Sequence, residues 1–225
     1  MFEILNITFK DLLSPEFYIN NGGLWVLLAI VFAETGLMLG FFLPGDSLLF
    51  VAGIYSNMLI NKLIPGGTGS DIVDLLILFA LISACGILGN MVGYWFGRKS
   101  GPYLFERQDT WFFKRKYLFQ AKEFYDKHGA QAIVFARFLP IIRTFAPIIA
   151  GIVRMDRKKF MLFNIVGCIA WVFLMLLAGH YLDKLFLNQF GFDLKKHLEL
   201  IVIAIVLITT IPVLYKIFSS KGKTA

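Results

Sequence analysis

Little in this chain suits redox, metal or nucleophilic chemistry. It has two cysteines, Cys85 and Cys168, and three histidines, His128, His180 and His197. Both cysteines fall in apolar stretches, where a free thiol packs as a small hydrophobe, so no disulfide is expected. The histidines are too scattered for metal-ligand spacing, and no serine or cysteine has a base at hand to activate it. No metal site, cofactor or catalytic residue is therefore expected. Charge is scarce too: 16% of residues are charged and 58% hydrophobic, whereas soluble domains have about a quarter charged and about half apolar. That excludes an ordinary soluble fold. Met1 to Asn21 lacks a basic start, an apolar run and a small-residue cleavage site, so no cleavable signal peptide is expected.

What the chain does have is long apolar runs, 24 phenylalanines and a mean hydropathy of +0.72. The runs cover roughly 22–60, 75–97, 130–153, 160–181 and 198–218. Three of them (75–97, 160–181 and 198–218) have the length of spanning helices, about 20 residues each. The other two are interrupted by charge and proline. One reads Glu34-Thr-Gly-Leu-Met-Leu-Gly-Phe-Phe-Leu-Pro-Gly-Asp46, and the other Arg137-Phe-Leu-Pro-Ile-Ile-Arg143-Thr-Phe-Ala-Pro147.

Loop charges suggest how these two runs sit. Segment 98–129 holds eight Lys/Arg against four acids, and the link 154–159 holds four against Asp156. The positive-inside rule puts both in the cytoplasm, which is impossible if 130–153 crosses once. It is natural if 130–153 is a re-entrant hairpin turning near Pro140, each arm about 15 Å long and reaching half-way through a 30 Å core. Run 22–60 then forms a second hairpin from the outer face, turning at Pro44-Gly45, with 1–21 as an external interfacial segment. The C-terminus, with Lys216, Lys221 and Lys223, falls inside. Segment 111–127 mixes aromatics and lysines, with Phe113, Tyr117, Ala121 and Phe124 at helical spacing, as in an interfacial helix. The formal charge of +7 thus reflects topology and anionic lipid headgroups, and no nucleic-acid partner is expected.

The expected fold is an all-α polytopic membrane protein in a single domain, 1–225. Phe42-Leu43-Pro44 through Ala52-Gly53 resembles Phe138-Leu139-Pro140 through Ala150-Gly151, so each hairpin plus its following helix forms one half of an inverted repeat. The helix 198–218 is additional. Broken helices meeting at the midplane are a transporter architecture.

An ionised side chain at the middle of a bilayer costs on the order of 3 kcal/mol, so the four charges ask for a reason. Glu34 and Asp46 are either local caps of the hairpin arms or protonatable relays. Arg137 and Arg143 either neutralise those acids or present a guanidinium fork to phosphate oxygens; both can hold if an anionic ligand competes with the acids. Gly86, Gly89, Gly93 and Gly97 form a small-residue side of helix 75–97, and Ala29, Ala33, Gly36 and Gly40 a second, for close packing. Asn90 and Asn164 either satisfy carbonyls of the hairpin tips or touch substrate.

These motifs resemble the DedA family of bacterial membrane proteins, related to the VTT-domain lipid scramblases of eukaryotes. The resemblance rests on Glu34, the Phe-Leu-Pro-Gly-Asp46 turn, Gly86-x-x-Gly-Asn-x-x-Gly-Tyr-x-x-Gly97, Phe135-Ala-Arg-Phe-Leu-Pro-x-x-Arg143, Pro147-x-x-Ala-Gly151, Met155, Phe160 and Asn164-x-x-Gly-x-x-x-Trp171. It implies a multi-pass inner-membrane protein with two re-entrant hairpins, driven by the proton-motive force, that returns undecaprenyl phosphate to the cytoplasmic leaflet. The family's essential acids fall on Glu34 and Asp46, and its essential arginines on Arg137 and Arg143. The expected partners are an anionic polyprenyl phosphate, protons and membrane lipids; homo-oligomerisation is left open. The rival readings are a proton-coupled antiporter for small cations or drugs, a general phospholipid scramblase, a structural scaffold for other membrane proteins and a membrane lipid phosphatase.

Overall fold

The computed structural model describes residues 15–37, 45–66, 68–106, 123 and 140–190. The described residues form six helices and no strand: α1 (Pro15–Gly36), α2 (Gly45–Ile54), α3 (Ser56–Leu63), α4 (Asp71–Glu106), α5 (Pro140–Ile152) and α6 (Arg157–Phe190). Among the described residues this is an all-helical membrane protein. The expected span 198–218, the interfacial helix 111–127 apart from residue 123, and Pro44 and Arg137 lie outside the described residues.

Among the described residues two helices are long and apolar enough to cross a bilayer, over Asp71–Tyr103 and Arg157–Leu182. Both outrun the apolar runs 75–97 and 160–181. Hydropathy stops at Arg98, but backbone hydrogen bonding does not. The 36 residues of α4 extend about 54 Å at 1.5 Å per residue, well beyond a 30 Å core. Helix α4 even passes Pro102 before ending at Glu106. The outer faces of these helices leave large apolar side chains uncovered, including Leu76, Trp95 and Phe96 on α4 and Leu162, Phe173 and Leu174 on α6. Such a face suits lipid rather than water.

The remaining helices are short. Helix α1 is broken at Gly23, whose φ of 58° and ψ of −150° no helix accommodates. Helix α2 starts at Gly45, directly after Pro44. Helix α5 starts on Pro140 itself, where the missing N–H is no loss.

The link from α5 to α6 is tight and held by backbone hydrogen bonds. Arg154 adopts φ 56°, while Met155 N donates to Ala150 O at 3.0 Å and Arg154 N to Gly151 O at 3.0 Å. This is the helix-closing arrangement that usually has glycine at the left-handed position. Asp156 then caps α6 by accepting Lys159 N at 2.9 Å.

The chain divides into two compact units. In the first (1–30, 43–81 and 172–225), Leu27, Leu48, Leu49, Leu59, Leu78 and Leu176 are fully buried. Gly53 of α2 and Gly179 of α6 meet backbone to backbone: a Cβ on Gly53 would strike the carbonyl of Leu176, and one on Gly179 the carbonyl of Phe50. Ser56 Oγ lies 3.4 Å from Nδ1 of buried His180. The loop before α4 is tied by Thr68 Oγ1 donating to Asp74 at 2.7 Å and Asn57 donating to Asp71 at 2.7 Å.

In the second unit (31–42 and 82–171), Phe160, Cys168 and Trp171 form much of the core. Here Gly97 of α4 and Gly151 of α5 meet in the same manner. A Cβ on Gly97 would strike the Ile148 carbonyl, and one on Gly151 the Tyr94 carbonyl. In both units each glycine lies over the carbonyl of the residue three positions before its partner glycine.

Candidate functional site

The second unit contains the polar centre of the described structure. Its scaffold is the small-residue side of α4. A Cβ on Gly86 would lie 2.7 Å from Cys168 Sγ, on α6. One on Gly36 of α1 would lie 2.8 Å from the Gly89 carbonyl. At Gly93 two helices converge: a Cβ there would be 3.4 Å from the Gly36 carbonyl of α1 and 3.5 Å from Pro147 Cβ of α5. Every position where α4 lacks a side chain is a position where another helix arrives.

That convergence brings Glu34 of α1 to Arg143 of α5. The guanidinium donates to Oε1 of the carboxylate, across 109 positions of chain. Both are sealed off, with Glu34 1% and Arg143 4% exposed. Trp171 of α6, itself buried, lies beneath the guanidinium with its ring centroid 4.3 Å from Cζ. A desolvated cation over an indole face gains about 2 kcal/mol. Arg143 thus has two seats, one anionic and one neutral.

The polar surroundings are held by helix backbones. Thr35 Oγ1 donates to Val31 O at 2.8 Å, and Asn90 Nδ2 donates to Gly86 O at 2.8 Å. Asn164 Nδ2 donates to Ile87 O at 3.3 Å, which ties α6 to α4. Pro147, buried one turn after Arg143, brings no N–H to that turn.

The other two charges of the expected set are placed differently. Asp46 is half-buried in the first turn of α2, where a carboxylate is favoured by the helix dipole; it belongs to the first unit. Arg137 lies outside the described residues. Trp171 figured in the sequence only as one position of a family motif, and nothing in its apolar neighbours signals that it underlies an arginine 28 positions earlier. Among the described residues, no group of three or more His, Cys, Asp or Glu could hold a metal ion.

A model of the VTT domain matches residues 43–181. The chain belongs to the VTT-domain family, in its DedA branch. Protein DedA of Escherichia coli (strain K12) is 37% identical over 206 residues, covering 90% of this chain and 87% of that protein. An uncharacterized membrane protein of Mycobacterium tuberculosis (strain ATCC 25618 / H37Rv) is 35% identical over 210 residues, 91% of this chain and 85% of its own. The inner membrane protein YghB of Escherichia coli (strain K12) is 32% identical over 161 residues, 72% of this chain and 68% of its own. No solved structure matches the chain significantly. The names of the latter two relatives speak of membrane location, and none of the three names a chemistry. Glu34 lies before the stretch matched by the VTT model, and the helix that bears it joins Arg143 inside the match.

Proposed function

We propose that this DedA-family protein is a proton-motive-force-dependent transporter of a lipid phosphate, with undecaprenyl phosphate as its cargo. The observation that carries this reading is the buried Glu34–Arg143 pair over Trp171. A buried pair adds little to stability compared with well-packed apolar residues, so its retention fits a role in exchange. Arginine keeps its charge in poor solvent and its fork matches phosphate oxygens. When Glu34 takes a proton, Arg143 loses its anionic partner, stays seated on Trp171, and accepts the phosphate of the headgroup. Return of the proton to solution restores the pair and releases the lipid. Asp46 and Arg137 act as the second acid and second arginine, and the apolar tail stays in the bilayer.

The repeated glycine crossing supports an inverted repeat of hairpin and helix. Gly53 over Leu176 with Gly179 over Phe50 matches Gly151 over Tyr94 with Gly97 over Ile148. In each case the hairpin arm packs on the long helix that follows the other hairpin. Re-entrant arms of this kind place a site near the midplane, open in turn to either side.

Flipping of a fluorescent prenyl phosphate in reconstituted vesicles, with and without a proton gradient, tests the reading. Wild-type protein should translocate the lipid faster with the gradient imposed. Arg143→Ala and Glu34→Gln should both fall to the rate of empty vesicles, and wild-type rates in either would remove the mechanism. Gradient-driven efflux of a small cation, unaffected by Arg143→Ala, would favour the antiporter instead.

A further inference from the structure

The second unit has a cavity of about 750 Å³ that the buried pair does not use. Its apolar wall is a stripe on α4, Leu88, Met91, Val92 and Trp95, completed by Phe32 of α1. These α4 positions follow a spacing of three and four, which keeps them on one helix face. Leu88, Val92 and Trp95 are exposed, so the groove is open along its side. At one end stand two cations, Arg98 and Arg157.

Arg98 is held in place. Its Nη1 donates to the Tyr94 hydroxyl at 2.8 Å, and that hydroxyl donates to the Met155 carbonyl at 2.6 Å. The Tyr94 ring stacks on Phe160 with centroids 4.3 Å apart. Arg157 is set by the first turn of α6, which Asp156 caps. From Leu88 to Arg98 is ten helical steps, about 15 Å. That is half of a 30 Å hydrocarbon core, the depth of one leaflet.

We infer that this groove is a binding site for an anionic phospholipid drawn from the surrounding bilayer. The headgroup phosphate sits on Arg98 and Arg157, and one acyl chain lies along the stripe that ends at Leu88. Charge complementarity, the leaflet-length apolar wall and the lateral opening all fit this occupant. A water-soluble anion would leave the wall uncovered, and a neutral lipid would leave both guanidiniums without a counter-charge from the ligand. The volume also lies in the usual range of ligand sites, about 300–1,000 Å³. The site is separate from the Glu34–Arg143 pair, and its occupation does not depend on transport.

Trp95 makes it testable. Full-length protein is reconstituted in phosphatidylcholine vesicles carrying brominated-chain phosphatidylglycerol or brominated-chain phosphatidylcholine. The Trp95 share of fluorescence is obtained by difference from Trp95→Phe. Each near-surface arginine favours anionic lipid about fivefold, so quenching should appear at a roughly 25-fold lower fraction of the anionic lipid. Arg98→Gln/Arg157→Gln should abolish the preference while leaving quenching by brominated phosphatidylcholine intact. Should that pair of changes prevent folding, Arg157→Gln alone should reduce the preference to about fivefold. Lys158→Gln/Lys159→Gln removes the same amount of charge, from the first turn of α6, and should change nothing. Equal quenching by the two lipids in the wild type would overturn the assignment. So would a preference that survives loss of both arginines, or one that falls equally with the lysines.

Discussion

The two units solve the same packing problem and differ in what they bury. Each crosses a short helix over a long one by laying glycine against a carbonyl, Gly53 with Gly179 in one and Gly97 with Gly151 in the other. In the first unit the buried polar contact near α6 is a serine hydroxyl beside an imidazole. In the second it is a carboxylate and a guanidinium. The first arrangement holds helices together at little cost. The second keeps two charges away from water, where their pairing offsets part of the desolvation cost. Close glycine packing is therefore a property of both halves, whereas the buried carboxylate–guanidinium pair lies in the second.

The largest expected effect breaks this contrast at the charged pair. Glu34→Gln should destabilise the protein by about 3–5 kcal/mol, because it removes the carboxylate that the buried guanidinium bonds. The double variant Glu34→Gln/Arg143→Gln should regain most of that loss. Thermal unfolding of the purified proteins in nanodiscs measures both, and equal stability of the single and double variants would show that the charges are not coupled.

The next effect sharpens the likeness. Gly53→Val and Gly151→Val should each cost about 1–3 kcal/mol, since either side chain drives into backbone that cannot rotate away. Similar losses are expected in the two units, and a much smaller loss at one of them would mean that the crossings are not equivalent. The smallest effect lies in the Ser56–His180 contact. Ser56→Ala should cost no more than about 1 kcal/mol, and a loss approaching that of Glu34→Gln would give His180 a charged role.

Much of this was legible in the chain, for reasons that differ by residue. Glu34 and Arg143 stand out because charge inside an apolar run is costly. Their pairing is another matter: they are 109 positions apart, and no local period links residues at that distance. The glycines of α4 announced a close-packing side, but only the fold says that α1 and α5 both arrive at Gly93. Gly179 gave no signal, as a lone glycine among leucines has many explanations. Helix ends were misjudged by hydropathy, because the spans end at Arg98 and Lys99 while the helix continues to Glu106. Trp171 was invisible as a partner, since an indole in an apolar helix reads as core.

The reciprocal glycine crossings have a mechanical consequence. If α2 slid along its neighbour by one helical turn, Leu49 or Phe50 would replace Gly53 at the contact, and a large side chain would meet a carbonyl head-on. Turning one helix about the contact point moves neither glycine away from it. Each crossing therefore resists translation and permits rotation. Motion in this protein is expected to be a swivel about two small pins, with the long arms sweeping furthest where they are farthest from the glycines.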